Sequence, residues 1–486
     1  MKHFWTLILT LAILQSACAS SSGQALSTET SGFLAPQCGN HTCEVNESAV
    51  SCPQDCPATT FSGRVETTHI KSEDTDIAVM VASPRTQRYP EGAGVVLVVP
   101  PIFTETSSFI TDPDLTSLGL IQVSYLWPGE TDSATGVRSA GKFDYGGEQS
   151  IKVLRDVIRF AAGRMADSNG RYIVSMTSVS PLTDELGLYA FADAGIAVVN
   201  ALSLYGDQFQ GLQYYVGNEN PTVDTISSLE IGYYDETGQP VYNPFYLYPS
   251  SYSPTELTLN YASLRWDSTY TDSQTQMVGR PYLDLDGSEN ISAGDFIFSA
   301  QAPVMFGERY YSAALTQALL NNDALSTGTW PADLATPQEA AQAWSIRQSP
   351  DRFAEMQNSN IVQDLKVMLV FARSDHAQVA VDKPHIHQDY QGFRFEARLW
   401  VRLNPDLAYA QSLIPKAGLG YPDNPADTQP TDWTQIGEYA YPGQGQAGGL
   451  VLLAAVSEMA DRAHFGRWDE NLGQTLYTYS VSTPQP

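Results

Sequence analysis

Positively charged residues are scarce in this chain: 26 Lys and Arg stand against 54 Asp and Glu, a formal charge of -28 at pH 7 over 486 residues. Holding a phosphate backbone requires cationic neutralisation, so the deficit argues against nucleic acid as a partner. It leaves open an acidic surface that draws divalent cations and the acidic surface of a halophilic protein. Cysteine is scarce too. There are five, Cys18 alone and Cys38, Cys43, Cys52 and Cys56 within one short segment, which leaves no thiol for the rest of the chain. The apolar run Phe4 to Leu14 is too short to cross a bilayer as a helix. Preceded by Lys2 and His3, it suits a secretory signal, and export is the expectation. The length allows a large core with room for one small accessory module.

The apolar run ends in Leu14-Gln15-Ser16-Ala17-Cys18, which resembles a bacterial lipobox, with Gln15 where that family usually has Leu. The resemblance implies that residues 1–18 are a lipoprotein signal and that Cys18 carries acyl groups. It also implies a membrane-anchored lipoprotein of a bacterial cell envelope, facing the periplasm or the exterior. Without lipidation, cleavage near Ala17 or Ala19 releases the chain. Residues 19–36 have the Ser/Thr/Gly-rich composition of a flexible tether. In residues 37–57 the cysteines are spaced C-x4-C-x8-C-x3-C. In an exported chain this reads as a disulfide-stapled module, since so few residues cannot build a core unaided. It resembles the Cys-Gly-Asn-x-x-Cys…Cys-Pro-x-Asp-Cys modules near the start of many bacterial surface proteins. Four cysteines leave three connectivities open. Zinc is the competing use, against which stands the absence of His partners at finger spacing. Glu44, Asn46, Glu47 and Asp55 offer oxygens to calcium or form a solvated acidic loop.

From residue 58 onward the pattern is α/β. Strands are expected over Arg64 to Lys71, Asp76 to Ser83, Gly94 to Val99, Gly119 to Tyr125, Leu212 to Val216, Lys366 to Phe371 and Ala397 to Leu403. The run Gly94 to Val99 is continuously apolar, as a central parallel strand is. A helix over Glu148 to Ala162 repeats Ile151, Val153, Leu154, Val157, Ile158 and Ala161 at helical spacing, and Leu450 to Ala463 closes the domain. Alternation of this kind predicts a mostly parallel sheet with helices on both faces.

One segment points to a family. Leu186 to Phe191 is a short apolar strand, Ala192-Asp193-Ala194-Gly195 a small-residue turn, and Ile196 to Tyr205 a helix. The segment resembles the nucleophile elbow of the α/β-hydrolase superfamily, whose pattern is G-x-S-x-G. In the register Phe191-Ala192-Asp193-Ala194-Gly195 the nucleophile position carries Asp193. The order of elements from about 60 to 475 matches that fold. The stretch Arg138 to Gly147 also resembles the loop before a covering helix in acyl-peptide and cocaine-esterase-type hydrolases. The family implies a cap insertion, here at about 220–350, expected to be β-rich. Tyr233, Tyr234, Tyr242, Tyr246, Tyr248, Tyr252, Tyr261 and Tyr270 crowd it, either as a stacking surface for a carbohydrate or aromatic ligand or as ordinary core.

Inside the insertion, Asp284-Leu285-Asp286-Gly287-Ser288-Glu289-Asn290-Ile291-Ser292-Ala293-Gly294-Asp295 resembles an EF-hand-type or dockerin-type calcium loop. The resemblance implies Ca2+ held by Asp284, Asp286, Ser288, Asp295 and the backbone carbonyl of Asn290, with apolar Ile291 at position eight. Glu289 stands where the family has glycine. A solvated acidic turn is the competing interpretation.

The family also implies an acid after the strand that follows the cap, and Asp375 in Phe371-Ala372-Arg373-Ser374-Asp375-His376 fits it. The base belongs after the last strand, yet from Asn404 to Gly449 there is no histidine. Nor is the oxyanion corner ordinary. Pro100-Pro101 takes the usual His-Gly place, leaving N–H donors from Ile102 onward beside that of Ala194. His376 adjoins the acid, and His385 and His387 flank a helix start; the latter two also form a metal pair with no third ligand evident. Two functions follow. The first is an exported, lipid-anchored protein with a degenerate triad, acting as a calcium-stabilised binding or scaffold protein for a small molecule or glycan. The alternative is a hydrolase of esters, epoxides or haloalkanes with Asp193 as nucleophile, Asp375 as acid and His376 or His387 as base.

Overall fold

The computed structural model describes residues 61–468, less 62, 222–227, 236, 238, 248–251, 254–255, 258, 273–275, 300–301, 350, 374, 376–378, 381, 406–435, 438 and 442–445. Contacts divide the chain into Met1–Ser31 and Gly32–Pro486, and every described residue belongs to the second unit. The signal, tether and cysteine module, with Cys18, Cys38, Cys43, Cys52 and Cys56, lie outside the described residues, as does His376.

Eight strands build the main sheet: β1 (Val65–Ser72), β2 (Thr75–Ala82), β3 (Ala93–Val99), β4 (Ile121–Tyr125), β5 (Pro181–Phe191), β6 (Leu212–Asn218), β7 (Lys366–Val370) and β8 (Trp400–Leu403). Their spatial order is β1-β2-β4-β3-β5-β6-β7-β8. β2 runs antiparallel to both β1 and β4, and every other pairing is parallel. This order, with its single inverted strand, is the α/β-hydrolase arrangement.

Why the central strands are apolar throughout follows from the layers. In β3, Val95, Leu97 and Val99 face one core, and Val96 and Val98 face another. Helices α1 (Glu148–Ala161), α2 (Ala194–Tyr205) and α3 (Pro384–Gln391) contribute Ile151, Leu154, Ile196, Val199, Ile386 and Tyr390 to the first. Helix α4 (Gln446–Phe465) contributes Val451, Val456 and Met459 to the second. A fully buried Val or Leu on either side adds about 1.5–3 kcal/mol.

Between β6 and β7 the inserted chain has its own small core of Leu264, Leu283, Phe296, Phe298, Tyr311, Leu315 and Leu319. Its first half is strands, chiefly Leu264–Thr271, Val278–Leu283 and Phe296–Ile297 in one antiparallel sheet. The second half is helical, a departure from the expected β-rich cap: Ala313–Asn321, Pro337–Arg347 and Asp351–Met356. The local cause is visible in the residues. Thr336 and Glu339 form a reciprocal capping box, with Pro337 in the first turn. Of the crowded tyrosines, Tyr233 and Tyr261 pack, half-buried, against the insertion core, and Tyr270, also half-buried, lies beneath the Arg280 guanidinium.

Candidate functional site

The functional end of such a sheet is where the parallel strands stop, and here β5 stops at a sharp turn. The residue at its apex is Ala192, whose φ of 48° lies in the left-handed region. Asp193, expected at the apex from its spacing to Gly195, instead has helical angles (φ -61°, ψ -18°) and leads into α2. The one-residue difference arises because two small residues follow. Ala194 takes the place of the motif's closing glycine, while Gly195 faces Asn220, whose side chain a Cβ there would strike. A left-handed alanine costs about 1–2 kcal/mol, and β6 holds it in place. The Ala192 N–H donates to Asn218 O at 2.9 Å, and Asn220 Nδ2 donates to Ala192 O at 2.7 Å. Asn220 Oδ1 is itself fixed by the Tyr215 hydroxyl at 2.6 Å.

The oxyanion corner differs from expectation in the same way. The loop donor is Phe103, not Ile102, and the residue following the apex is Asp193, not Ala194. The Phe103 N–H donates to Asp193 Oδ2 at 2.8 Å, so a resident carboxylate sits on a donor that in a hydrolase would meet the developing oxyanion. Ile102 is fully buried, and Ala194 lies within α2. Trp127 Nε1 donates to Pro101 O at 2.8 Å, anchoring the proline pair. Glu130 accepts from the Thr106 N–H at 2.6 Å and the Trp127 N–H at 2.9 Å. Burial outweighs those bonds and pushes the Glu130 carboxyl up to about 7. Aromatic rings of the insertion stand nearby: Trp344 meets Phe103 edge to face at 5.7 Å, and exposed Phe306 meets Tyr145 at 5.0 Å.

Past β8, where the base was expected, the chain continues with Asn404. Its Oδ1 accepts from the Phe371 N–H at 2.9 Å and its Nδ2 donates to Tyr439 O at 2.7 Å, so the amide sews two loops together. The acid position after β7 does hold Asp375, and an imidazole meets it, but the ring is that of His385. His387, the expected base in α3, is completely buried two residues further on. His385 Nε2 lies 3.1 Å from Asp375 Oδ2 and 3.3 Å from Glu219 Oε2. Glu219 follows β6 with a φ of 51°, and its Oε1 accepts from the Ala372 N–H at 2.6 Å. All three side chains are buried, as is Lys383. Burial first, then the Asp375 charge, raises the Glu219 carboxyl. Burial would lower His385, but the two carboxylates outweigh it and raise it. Sequence spacing singles out Asp375 and His385 separately but misses Glu219 and their meeting, because the three come from segments that only the sheet order brings together.

The acidic loop of the insertion joins strands Val278–Leu283 and Phe296–Ile297. Asp284, Asp286 and Asp295 each turn a carboxylate oxygen inward, all within 4.8 Å of one another. Asp284 accepts from the Ser288 and Glu289 N–H groups, both at 3.1 Å; Asp295 accepts from those of Leu285 at 2.8 Å and Ser292 at 2.7 Å. Ser288 Oγ donates to Asn290 O at 2.8 Å. Glu289 adopts a φ of 60°, so the glycine position keeps its left-handed turn without glycine. The convergent oxygens have the donor chemistry that calcium takes.

No family model and no curated protein matches the chain. Solved structures do. An arylesterase is 14% identical over 37% of this chain and 53% of its own, with a TM-score of 0.26. A chain from a structural analysis of two fungal esterases from Rhizomucor miehei gives 8% identity over 71% of this chain and 74% of its own, with a TM-score of 0.35. A hyperthermophilic esterase from the archaeon Pyrobaculum calidifontis gives 13% over 38% and 53%, with a TM-score of 0.26. This chain thus spans about half the length of the first and third, at 53% each. The fold is identified by the strand order and not by these likenesses.

Two other histidines lie apart from the elbow. His464 stacks on Tyr89 at 3.7 Å and bonds Glu185 at 3.0 Å in the first half of β5; His69 meets Arg138 O at 3.0 Å.

Proposed function

We propose that this chain uses the α/β-hydrolase fold to bind a ligand without cleaving it. The observation that carries this reading is the pairing at the elbow: an alanine methyl at the apex and a carboxylate already seated on the neighbouring donor. Turnover by acyl or alkyl transfer needs a nucleophile at the apex, a donor open to the oxyanion and an imidazole to move protons. Asp193 as nucleophile is disfavoured because it has rotated out of the apex into the helix start. The ligand is a small molecule or glycan with a face that stacks on rings, in keeping with Phe103, Tyr145 and exposed Phe306.

The protein is exported and anchored in a bacterial envelope through a lipid on Cys18. Disulfide pairing among Cys38, Cys43, Cys52 and Cys56 is part of this proposal. Calcium at Asp284, Asp286, Ser288, Asn290 and Asp295 stiffens the insertion, as a scaffold requires; what supports this is the convergence of the Asp284, Asp286 and Asp295 carboxylates. A panel of aryl esters, epoxides and haloalkanes, with and without calcium, tests the main reading. The expected result is no turnover above buffer. Steady turnover that vanishes in Asp193→Ala overturns it.

A further inference from the structure

We infer that Glu219, Asp375 and His385 form a second metal site, taking one divalent transition cation of the zinc class. The site lies apart from the calcium loop, where the chain leaves β6 and β7, and goes beyond the binding function proposed above. Three ligand atoms from three separate segments come within 4.8 Å of one another, in side chains no more than 3% exposed.

The distances come close to those around a shared ion, and 3.1 Å is also an ordinary N–H···O length. A zinc ion bound at about 2.0–2.2 Å has tetrahedral ligand–ligand edges of roughly 3.3–3.6 Å. His385 Nε2 lies 3.1 and 3.3 Å from the two carboxylate oxygens. A single N–H bonded to an ionised carboxylate shortens to about 2.7–2.9 Å, and one proton cannot serve both oxygens equally. Donor chemistry narrows the metal. Calcium and magnesium take oxygen almost exclusively, and soft copper(I) needs sulfur; the chain has no cysteine after Cys56. Zinc accepts both imidazole nitrogen and carboxylate oxygen, and three protein ligands leave its fourth position open.

Charge is consistent with this occupant. Two carboxylates balance one divalent ion, with His385 neutral as a ligand. Lys383 is fully buried, its Nζ has no hydrogen-bond partner among the described residues, and its charge acts on Glu219. Once the metal has neutralised the carboxylates, that ammonium favours an anion in the fourth position. The competing occupant is a proton on His385, which with Lys383 would also neutralise the pair.

The full chain, stripped with chelator and saturated with calcium, is titrated with Zn2+ by calorimetry and with Co2+ by visible absorption. One equivalent of zinc is expected, with cobalt d–d bands of a nitrogen–oxygen site. His385→Gln and Glu219→Gln, each checked for folding by circular dichroism, weaken zinc at least tenfold, while His464→Gln leaves it unchanged. Wild-type protein that takes up no zinc overturns the inference in favour of the proton. Binding undiminished in a folded His385→Gln or Glu219→Gln protein overturns it as well. Neither outcome depends on whether the elbow turns over substrate.

Discussion

The Asp193 carboxylate and the Phe103 N–H, 2.8 Å apart, tie the start of α2 to the loop that follows β3. A hydrogen bond to an ionised acceptor contributes about 1.5–3 kcal/mol, and a carboxylate at a helix N-terminus also gains from the helix dipole. Because Asp193 is only half-buried, its removal should cost toward the lower end of that range. Asp193→Ala is expected to lose about 1–2 kcal/mol in urea unfolding, and Asp193→Asn less, since its amide oxygen still accepts. Equal stability of all three proteins would show that the contact contributes nothing in solution.

Glu230 gives the insertion a pH dependence. It is fully buried, and burial pushes its carboxyl from the ordinary 4.5 up to about 7, against the opposing bonds from Tyr261 and Ser312. The folded chain therefore keeps a proton that the unfolded chain releases, so stability falls as pH rises from about 4.5 to about 7 and levels off above. At 1.36 kcal/mol per unit the full change is about 3 kcal/mol. Glu130 titrates in the same window and adds to the fall. Relative to wild type, Glu230→Gln is expected to gain up to about 3 kcal/mol across that window. A pH-independent difference in unfolding free energy would refute the assignment.

Glu289 occupies a left-handed conformation with its carboxylate largely in solvent and only a 3.8 Å approach to Arg265. Glycine adopts that conformation without the side-chain penalty. Glu289→Gly is expected to tighten calcium by roughly fivefold, about 1 kcal/mol, measured by calorimetry. Absence of calcium heat in wild type would remove the calcium proposal itself.

The central strands were legible from the chain because buried parallel strands must be apolar on both faces, and runs such as Gly94 to Val99 can be little else. Boundaries shifted modestly: the strand expected over Ala397 to Leu403 is Trp400–Leu403, preceded by a wide helical turn at Gly392–Glu396. The elbow was found but misregistered by one residue. A pattern of small residues shows where a turn lies, and the φ of Ala192 decides which residue tops it. Glu219 and Asn220 left no trace in local patterning, and His385 showed only as half of a pair with His387, since each matters through a partner distant in sequence. The helical half of the insertion, by contrast, was announced by Thr336-Pro337-Gln338-Glu339, a capping signal outweighed by the tyrosines nearby.

Glu458 of α4 is buried between Arg402 on β8, at 3.0 Å, and Arg462 one turn on, at 2.8 Å. Its helix covers Met368 and Val370 of β7 and Val216 of β6. A fragment truncated ahead of Gln446 would strip the helix from one side of the sheet and strand a guanidinium in an apolar interior, at a cost of about 3–5 kcal/mol for the ion alone. Shortened forms made for crystallisation or by proteases must therefore retain the chain through Phe465, however dispensable the tail beyond it proves.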